Sequence, residues 1–132
     1  MKANELMIGD YVNYRGQIIK VTSLYDKGGS NEVGWTDKES VWVNAANVEP
    51  IPLTPEILES NGFGYKENDT LLELHHYYLG EPQFCKNMDL HIGNKKDIFW
   101  IDYNNNHIGG IRYLHELQHA LRLCGIDKEI EL

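Results

Sequence analysis

The segment from Ile111 to Gly125, IRYLHELQHALRLCG, constrains the fold of this chain more than any other stretch. A helix turns about 100° per residue, which would gather the apolar side chains on one broad face: Tyr113, Leu114, Leu117, Ala120, Leu121 and Cys124. The opposite face would carry His115, Gln118, His119 and Arg122. The pattern predicts a C-terminal helix that buries its leucines against a sheet and directs both histidines outward.

The same segment contains an HExxH string, His115 to His119, which is the signature of zinc peptidases. Such an enzyme needs a third protein ligand for the metal and a glutamate that activates the bound water. A glycine-then-histidine extension would fall at Arg122 and Gly125, and few residues remain for an acidic ligand on a second helix. An upstream ligand, His75, His76, His91 or His107, stays open, but no spacing selects one. The sequence therefore predicts no enzyme, no metal and no cofactor.

The N-terminal part, residues 1–52, shows short alternating segments separated by turn formers. Strands are predicted within 5–14, from 16 to 24, at Glu32–Trp35, at Val41–Val43 and over 47–51. Polar stretches at 26–31 and 36–40 read as loops. We expect a small antiparallel lobe that resembles a β-barrel.

A proline-rich connector, PIPLTP at 50–55, leads into the second part, residues 53–132. Thr54, Pro55 and the pair Asn61-Gly62 predict the start and the end of a short helix. Strands are expected at 71–79, 88–92 and 97–103, followed by a turn over 104–110, the C-terminal helix and a possible edge strand at 127–132. The class is α+β, with a three-stranded antiparallel sheet that the C-terminal helix covers and two lobes packed as one unit.

Charge and composition exclude several functions. The net charge is −8, from 20 acidic and 12 basic residues, and no basic stripe that could neutralise phosphates is visible. Cys85 and Cys124 are far apart and form no metal-binding spacing. Neither a secretory leader nor a stretch of about 20 apolar residues appears. We expect a cytoplasmic protein with free thiols, no nucleic-acid partner and no membrane segment.

The aromatic content favours a binding surface, since Trp and Tyr are enriched at interfaces. A protein partner or a second copy of the chain is the preferred ligand class. A pocket that holds a nucleotide-like ligand, with Arg112, Lys20 or His107 at its rim, is the alternative. The candidate binding residues are Trp35, Trp42, Trp100, Tyr103, His107, Arg112, His115 and His119.

Three stretches carry a resemblance to a known group: the opening MKANELMIGDYVNYRGQIIKVTSL, the connector VEPIPLTPEIL and the ending IRYLHELQHALRLCGI. They resemble small uncharacterised proteins of Bacteroides-type bacteria and their prophages. Glu116 and His119 are not constant in that group, which argues further against zinc. The resemblance implies an accessory protein of a phage or mobile element. It leaves three hypotheses, a self-associating binding protein, a counter-defence protein that sequesters a host nucleotide signal, and a zinc-dependent hydrolase.

Overall fold

The computed structural model describes residues 1–28, 30–35, 41–66, 74–79, 90–104 and 106–132. The described chain is α+β, as predicted, with antiparallel sheets and two α-helices. It divides into two compact units, unit 1 with residues 1–52 and 113–123, and unit 2 with residues 53–112 and 124–132. The chain therefore leaves unit 1 after Pro52, returns to it for the second helix, and ends in unit 2.

Unit 1 contains two three-stranded sheets and one helix. The first sheet has the order β2-β1-β6 and the second the order β3-β4-β5. Neither sheet closes into a barrel, so the expected barrel-like lobe is not confirmed. The elements are β1 (Tyr11–Tyr14), β2 (Gln17–Lys20), β3 (Ser23–Lys27), β4 (Ser30–Gly34), β5 (Trp42–Asn44), β6 (Val48–Pro50) and the later helix α2 (Leu114–Leu123).

The segment from 16 to 24, expected as one strand, is divided between the two sheets. The N–H of Val21 donates to Asp10 O, 2.8 Å away, and continues the pairing with the first sheet. The N–H of Thr22 instead donates to Gly34 O in the second sheet, 2.9 Å away. The chain thus changes sheets between neighbouring residues, and Val12, Val21, Val33 and Val48 form part of the buried core of the unit.

Helix α2 packs in unit 1, which differs from the expectation that it covers the strand at 97–103. Leu114, Leu117 and Leu121 are buried, as the apolar pattern predicted. The prediction of an outward polar face is wrong for His115 and Gln118, which are 7% and 6% exposed. Polar groups of residues 9–11 form hydrogen bonds with Gln118 and His119 on this face, so these side chains have partners inside the protein.

Unit 2 contains a short helix and a five-stranded antiparallel sheet with the order β11-β10-β9-β8-β7. The helix is confirmed: Thr54 Oγ1 accepts the N–H of Ile57, 3.3 Å away, and Gly62 exits with φ +80°. The elements are α1 (Pro55–Ser60), β7 (Gly64–Lys66), β8 (Leu74–Leu79), β9 (Leu90–Lys95), β10 (Ile98–Tyr103) and β11 (Asn106–Ile111). The predicted strands at 71–79 and 88–92 lie partly outside the described residues.

Three predictions for unit 2 are wrong. The sheet has five strands where three were expected, because β7 and β11 join it. The turn formers at 104–110 do not end the sheet, because residues 106–111 form its edge strand β11. Residues 127–132 form no strand. The side chain of Asn61, 5% exposed, donates to Glu131 O at 2.9 Å and accepts the N–H of Glu131 at 2.7 Å. A buried amide therefore takes the place of a strand partner and fixes the tail next to the buried Ile130.

Candidate functional site

One face of the five-stranded sheet collects polar and aromatic side chains. Successive side chains of a strand point to opposite faces, and the neighbours Tyr77, Ile92, Phe99 and Ile101 are buried on the other face. We call the face with the polar and aromatic side chains the histidine face. Its described members are Leu74, His76 and Tyr78 of β8, His91, Gly93 and Lys95 of β9, Ile98, Trp100 and Asp102 of β10, and His107 and Gly110 of β11.

The strand register places two histidines beside one carboxylate. His91 lies directly opposite Asp102 across β9 and β10, and His107 lies opposite Asp102 across β10 and β11. The second pairing depends on a β-bulge, since Ile101 pairs with Gly109 while Asp102 pairs with His107. A regular register would place Ile108 there. Because bulges redirect side chains, this bulge brings the second imidazole to the carboxylate.

Hydrogen bonds join four of these side chains into one chain. His76 Nδ1 lies 2.6 Å from His91 Nε2, and His91 Nδ1 lies 3.0 Å from Asp102 Oδ2. His107 Nδ1 lies 2.9 Å from Asp102 Oδ1. The side chains of His91 and Asp102 are 19% and 26% exposed, and that of His107 is 66% exposed. The row of hydrogen-bonded side chains is therefore half-buried in its middle and exposed at the His107 end.

The hydrogen-bond distances fit one arrangement of the protons. An ionised Asp102 accepts from the Nδ1–H groups of His91 and His107. A neutral His91 then has its lone pair on Nε2, so the Nδ1–H of His76 donates to it.

Aromatic rings lie beside this chain. Trp100 is directly opposite Gly93, and a Cβ atom on Gly93 would overlap the indole ring. The ring of Tyr78 lies 5.0 Å from that of His91, with 33° between the planes. Trp100 and Tyr78 are each half-buried. The histidine face consequently carries aromatic rings beside the hydrogen-bonded side chains.

A second polar cluster, in unit 1, centres on the fully buried carboxylate of Asp10. Its Oδ2 accepts from the N–H of Met7 at 2.8 Å and from His119 Nε2 at 2.6 Å. Its Oδ1 accepts from Arg122 Nη1 at 2.9 Å. Both oxygens are occupied and an arginine balances the charge, so the cluster attaches α2 to the loop before β1 and has a structural role.

His115, the first histidine of the HExxH string, is buried next to this cluster. Burial lowers its pKa, and the negative charge of Asp10 only partly opposes that effect. Its ring lies 5.9 Å from that of Tyr113, nearly parallel, and 5.5 Å from that of His119. Its Nδ1 is buried with no hydrogen-bond partner in the described part of the chain. A neutral ring is the form that this environment favours.

The HExxH string does not form a metal cage in the described residues. His119 Nε2, which would be a zinc ligand, is hydrogen-bonded to Asp10, and the cation Arg122 lies on the same carboxylate. No group of three or more His, Cys, Asp or Glu side chains within the described ranges is placed to hold a metal ion together. Cys124 is a free thiol whose pKa is raised by burial. Cys85 lies outside the described residues.

The eight predicted site residues fall in both units. In unit 1, Trp35 packs on Tyr14 with ring centres 5.2 Å apart, and Trp42 is 40% exposed. His115 and His119 belong to the Asp10 cluster. In unit 2, Trp100 and His107 share the histidine face, whereas Tyr103 alternates to the opposite face and Arg112 is exposed.

Three members of the hydrogen-bonded chain, His76, His91 and Asp102, were not predicted as site residues. Alternation placed the two histidines of 75–76 on opposite faces, and the pattern Met88 to Ile92 alternates as well. These signals give the face but not the register. The pairings of β8 with β9 and of β9 with β10, together with the bulge in β11, show that the side chains meet.

Comparison with known protein families, with curated proteins and with solved structures finds no match. The resemblance to proteins of Bacteroides-type bacteria and their prophages therefore stays a prediction. In the part of the chain that is described, no helix is long and apolar enough to cross a membrane. The function has to be argued from the two side-chain clusters.

Proposed function

We propose that this protein is a non-enzymatic binding protein that associates with a second copy of itself through the histidine face. One observation carries the proposal. The sheet buries one face in the core of unit 2 while the other keeps Ile98 66% exposed and Trp100 and Tyr78 half-buried. Aromatic side chains with a polar rim are typical of the centre of a protein interface.

Charge favours a second copy as the occupant. The chain carries a net charge of −8, so most pairings of two copies are repulsive. Among the described members of the histidine face, Asp102 is the one carboxylate, and two imidazoles donate to it. Lys95 lies at the end of the same face. Two copies that meet here avoid the repulsion that the rest of the acidic chain would cause.

Sedimentation velocity over a range of concentrations tests the proposal with two matched variants. Ile98→Asp adds a charge to the histidine face, and Ile8→Asp adds the same charge at a residue of unit 1 that is equally exposed, 65% against 66%. We expect a dimer for the wild type and for Ile8→Asp, and a monomer for Ile98→Asp. A monomeric wild type, or equal dissociation of both variants, would contradict self-association through this face.

A nucleotide-like ligand is the second candidate, and the position of the Trp100 ring over Gly93 favours it, because an indole can stack on a base. The negative Asp102 on the same face opposes binding of a phosphate there. Calorimetry with a panel of cyclic dinucleotides and cyclic ADP-ribose-like molecules distinguishes the two. Heat of binding that disappears in Trp100→Ala would favour a nucleotide-like ligand. No heat with any molecule of the panel would exclude all of them as ligands.

The origin in a phage or mobile element and the cytoplasmic location are part of the same proposal. The opening and closing sequence stretches support them, together with two cysteines that form no predicted pair. A zinc-dependent hydrolase stays the least favoured function, because His119 and Arg122 both bind Asp10. Hydrolase activity that requires zinc and is lost in His115→Ala would reverse that order.

A further inference from the structure

Two imidazoles on neighbouring strands of the histidine face point ring nitrogens at each other. His76 Nδ1 and His91 Nε2 are 2.6 Å apart, while the ring centres are 4.8 Å apart with 27° between the planes. Because the two nitrogens are much closer to each other than the two ring centres are, the rings meet edge to edge. Ring nitrogens carry their lone pairs in the ring plane. Both nitrogens are thus directed at one point between the rings.

Asp102 prepares one of these nitrogens for a cation. By accepting the Nδ1–H of His91 at 3.0 Å, the carboxylate leaves the lone pair of that ring on Nε2. A metal-binding histidine nearly always donates its other N–H to a carboxylate, a carbonyl or a water, and this partner orients the ring and raises its basicity as a ligand. The arrangement His76, His91, Asp102 is therefore that of two ligands with an outer carboxylate on one of them.

We propose that His76 Nδ1 and His91 Nε2 bind a first-row transition-metal ion of the type that imidazole prefers, Zn²⁺, Ni²⁺ or Cu²⁺. The ion takes the place of the proton between the rings, and His76 then carries its proton on Nε2. Both ligands stay neutral, and Asp102 supplies the negative charge beside them. Water or an added ligand would complete the coordination.

Binding requires the two rings to turn and to separate, because nitrogens that face each other along one line must meet a tetrahedral ion at about 109°. Two nitrogens that each lie about 2.0 to 2.1 Å from a tetrahedral zinc ion are roughly 3.3 Å from each other. The rings therefore separate by somewhat less than one ångström from their distance of 2.6 Å. His91 is 19% exposed at its side chain, so solvent reaches its surroundings. Gly93, the next residue of β9 on this face, adds no side chain.

The Asp10 cluster of unit 1 shows by contrast why the pair in unit 2 suits a cation. Asp10 receives His119 and Arg122 on its two oxygens, so a metal there would lie beside a guanidinium. In the hydrogen-bonded chain of unit 2, Asp102 has only imidazoles on its oxygens among its described partners. The proposal needs no dimer and goes beyond the proposed function, since it is measured on each chain by itself.

Isothermal titration calorimetry of the full chain without a His tag tests the site with ZnCl₂, NiCl₂ and CuCl₂. We expect Cu²⁺ to bind more tightly than Ni²⁺ and Zn²⁺. Asp102→Asn keeps both ligands and should weaken binding about 10- to 100-fold, the usual effect of losing an outer partner. His76→Ala and His91→Ala remove a ligand, so each should weaken it by more than about 100-fold.

His107→Ala is the matched control, because His107 donates to the same Asp102 but is not a ligand. It should bind the three ions as the wild type does, whereas equal losses in all four histidine and aspartate variants would indicate a general effect and overturn the assignment. Circular dichroism verifies the folding of each variant. A measurement on the wild type avoids any effect of a substitution on folding. In ¹⁵N spectra of the imidazoles, zinc should shift Nδ1 of His76 and Nε2 of His91. Zinc shifts confined to His115, His119 or His107, or no shift at all, would refute the proposal.

Discussion

At the scale of single residues, the most informative side chain is a histidine that sequence analysis placed on the wrong side. The helical pattern put His115 outward, yet it is 7% exposed and has a buried Nδ1 without a described partner. An amphipathic pattern shows which residues are apolar, but a polar residue on the other face is exposed only if nothing packs there. Residues 9–11 do pack there through Gln118, and the sequence gives no sign of that contact.

The lowered pKa of His115 leads to a prediction about the dependence of stability on pH. The unfolded chain takes up a proton near pH 6.5, while the folded protein takes it up only at a lower pH. The unfolded state therefore binds more protons as the pH falls below about 6.5, and the folded state loses stability there. Well above that pH the ring of His115 is neutral in both states, so its titration does not lower the stability of the folded protein.

Replacing His115 by Leu removes this titration and also an unpaired buried polar atom. We expect the free energy of unfolding at pH 7.5 to be equal to or higher than that of the wild type. The advantage of the variant should grow between pH 7.5 and pH 5.5. Urea unfolding at several pH values measures it, and parallel curves for the two proteins would show that His115 does not titrate differently on folding.

At the scale of elements, the sheet of unit 2 was only partly predictable. Alternation in 97–103 identified β10. Gly93 to Lys96 were expected to form the turn before it, although Gly93, Asn94 and Lys95 belong to β9. The glycines and asparagines of 104–110 indicated a loop because such residues are common in turns. In the structure Gly110 pairs with Trp100 in β11, where the sheet tolerates glycine opposite a large ring. A local propensity was overridden by a cross-strand partner.

The pairing of β9 with β10 leads to the second prediction. Gly93→Ala would place a methyl group inside the space of the Trp100 indole, so the ring must move or the strands must separate. We expect a loss of about 1 to 3 kcal/mol in the free energy of unfolding and a red shift of tryptophan fluorescence. Gly110→Ala, on the other neighbour of Trp100, meets its nearest atom at 3.6 Å and should change both quantities little. Equal effects of the two substitutions would contradict the packing.

The C-terminal tail leads to the third prediction. Asn61→Ala removes the two hydrogen bonds to Glu131 and leaves its N–H and C=O without these partners. We expect a loss of about 1 to 3 kcal/mol and faster amide hydrogen exchange over residues 126–132 than in the wild type. The side chain also donates to Ile57 O at the end of α1. Ser60→Ala, which removes another bond to the same carbonyl at 3.1 Å, is the control and should leave the tail unchanged.

At the scale of the whole molecule, the first segment of unit 1 ends at Pro52 and its second segment begins at Tyr113. The proline-rich connector stands at the first of these two limits. Nothing comparable precedes Tyr113, because Arg112 follows β11 directly. Contacts distant in sequence, such as Gln118 with Gly9 and Tyr11, decide where α2 packs. A single sequence shows the apolar face of the helix without naming the surface that receives it.

The same arrangement makes residues 53–112 of unit 2 an insertion into unit 1, whereas residues 124–132 follow it. Pro52 and Tyr113, where unit 1 is interrupted, are partners in an antiparallel bridge, and the N–H of Leu114 donates to Ile51 O at 2.8 Å. The two ends of the interruption are therefore adjacent, so a few residues can span them. Without α2, the buried carboxylate of Asp10 loses its bonds to His119 and Arg122, and residues 1–52 alone would contain an uncompensated buried charge.

We therefore expect residues 1–52 alone to be unfolded, and residues 1–52 joined to 113–123 by a short Gly-Ser linker to fold. The joined chain keeps the Asp10 cluster, with its hydrogen bonds to His119 and Arg122. It should give dispersed amide resonances and a cooperative urea transition, while residues 1–52 should give neither. Substituting Asp10→Ala in the joined chain should abolish the transition or lower its midpoint, because the buried anchor of the helix is lost. A joined chain without a cooperative transition, or residues 1–52 that fold without the helix, would show that the helix does not complete this core.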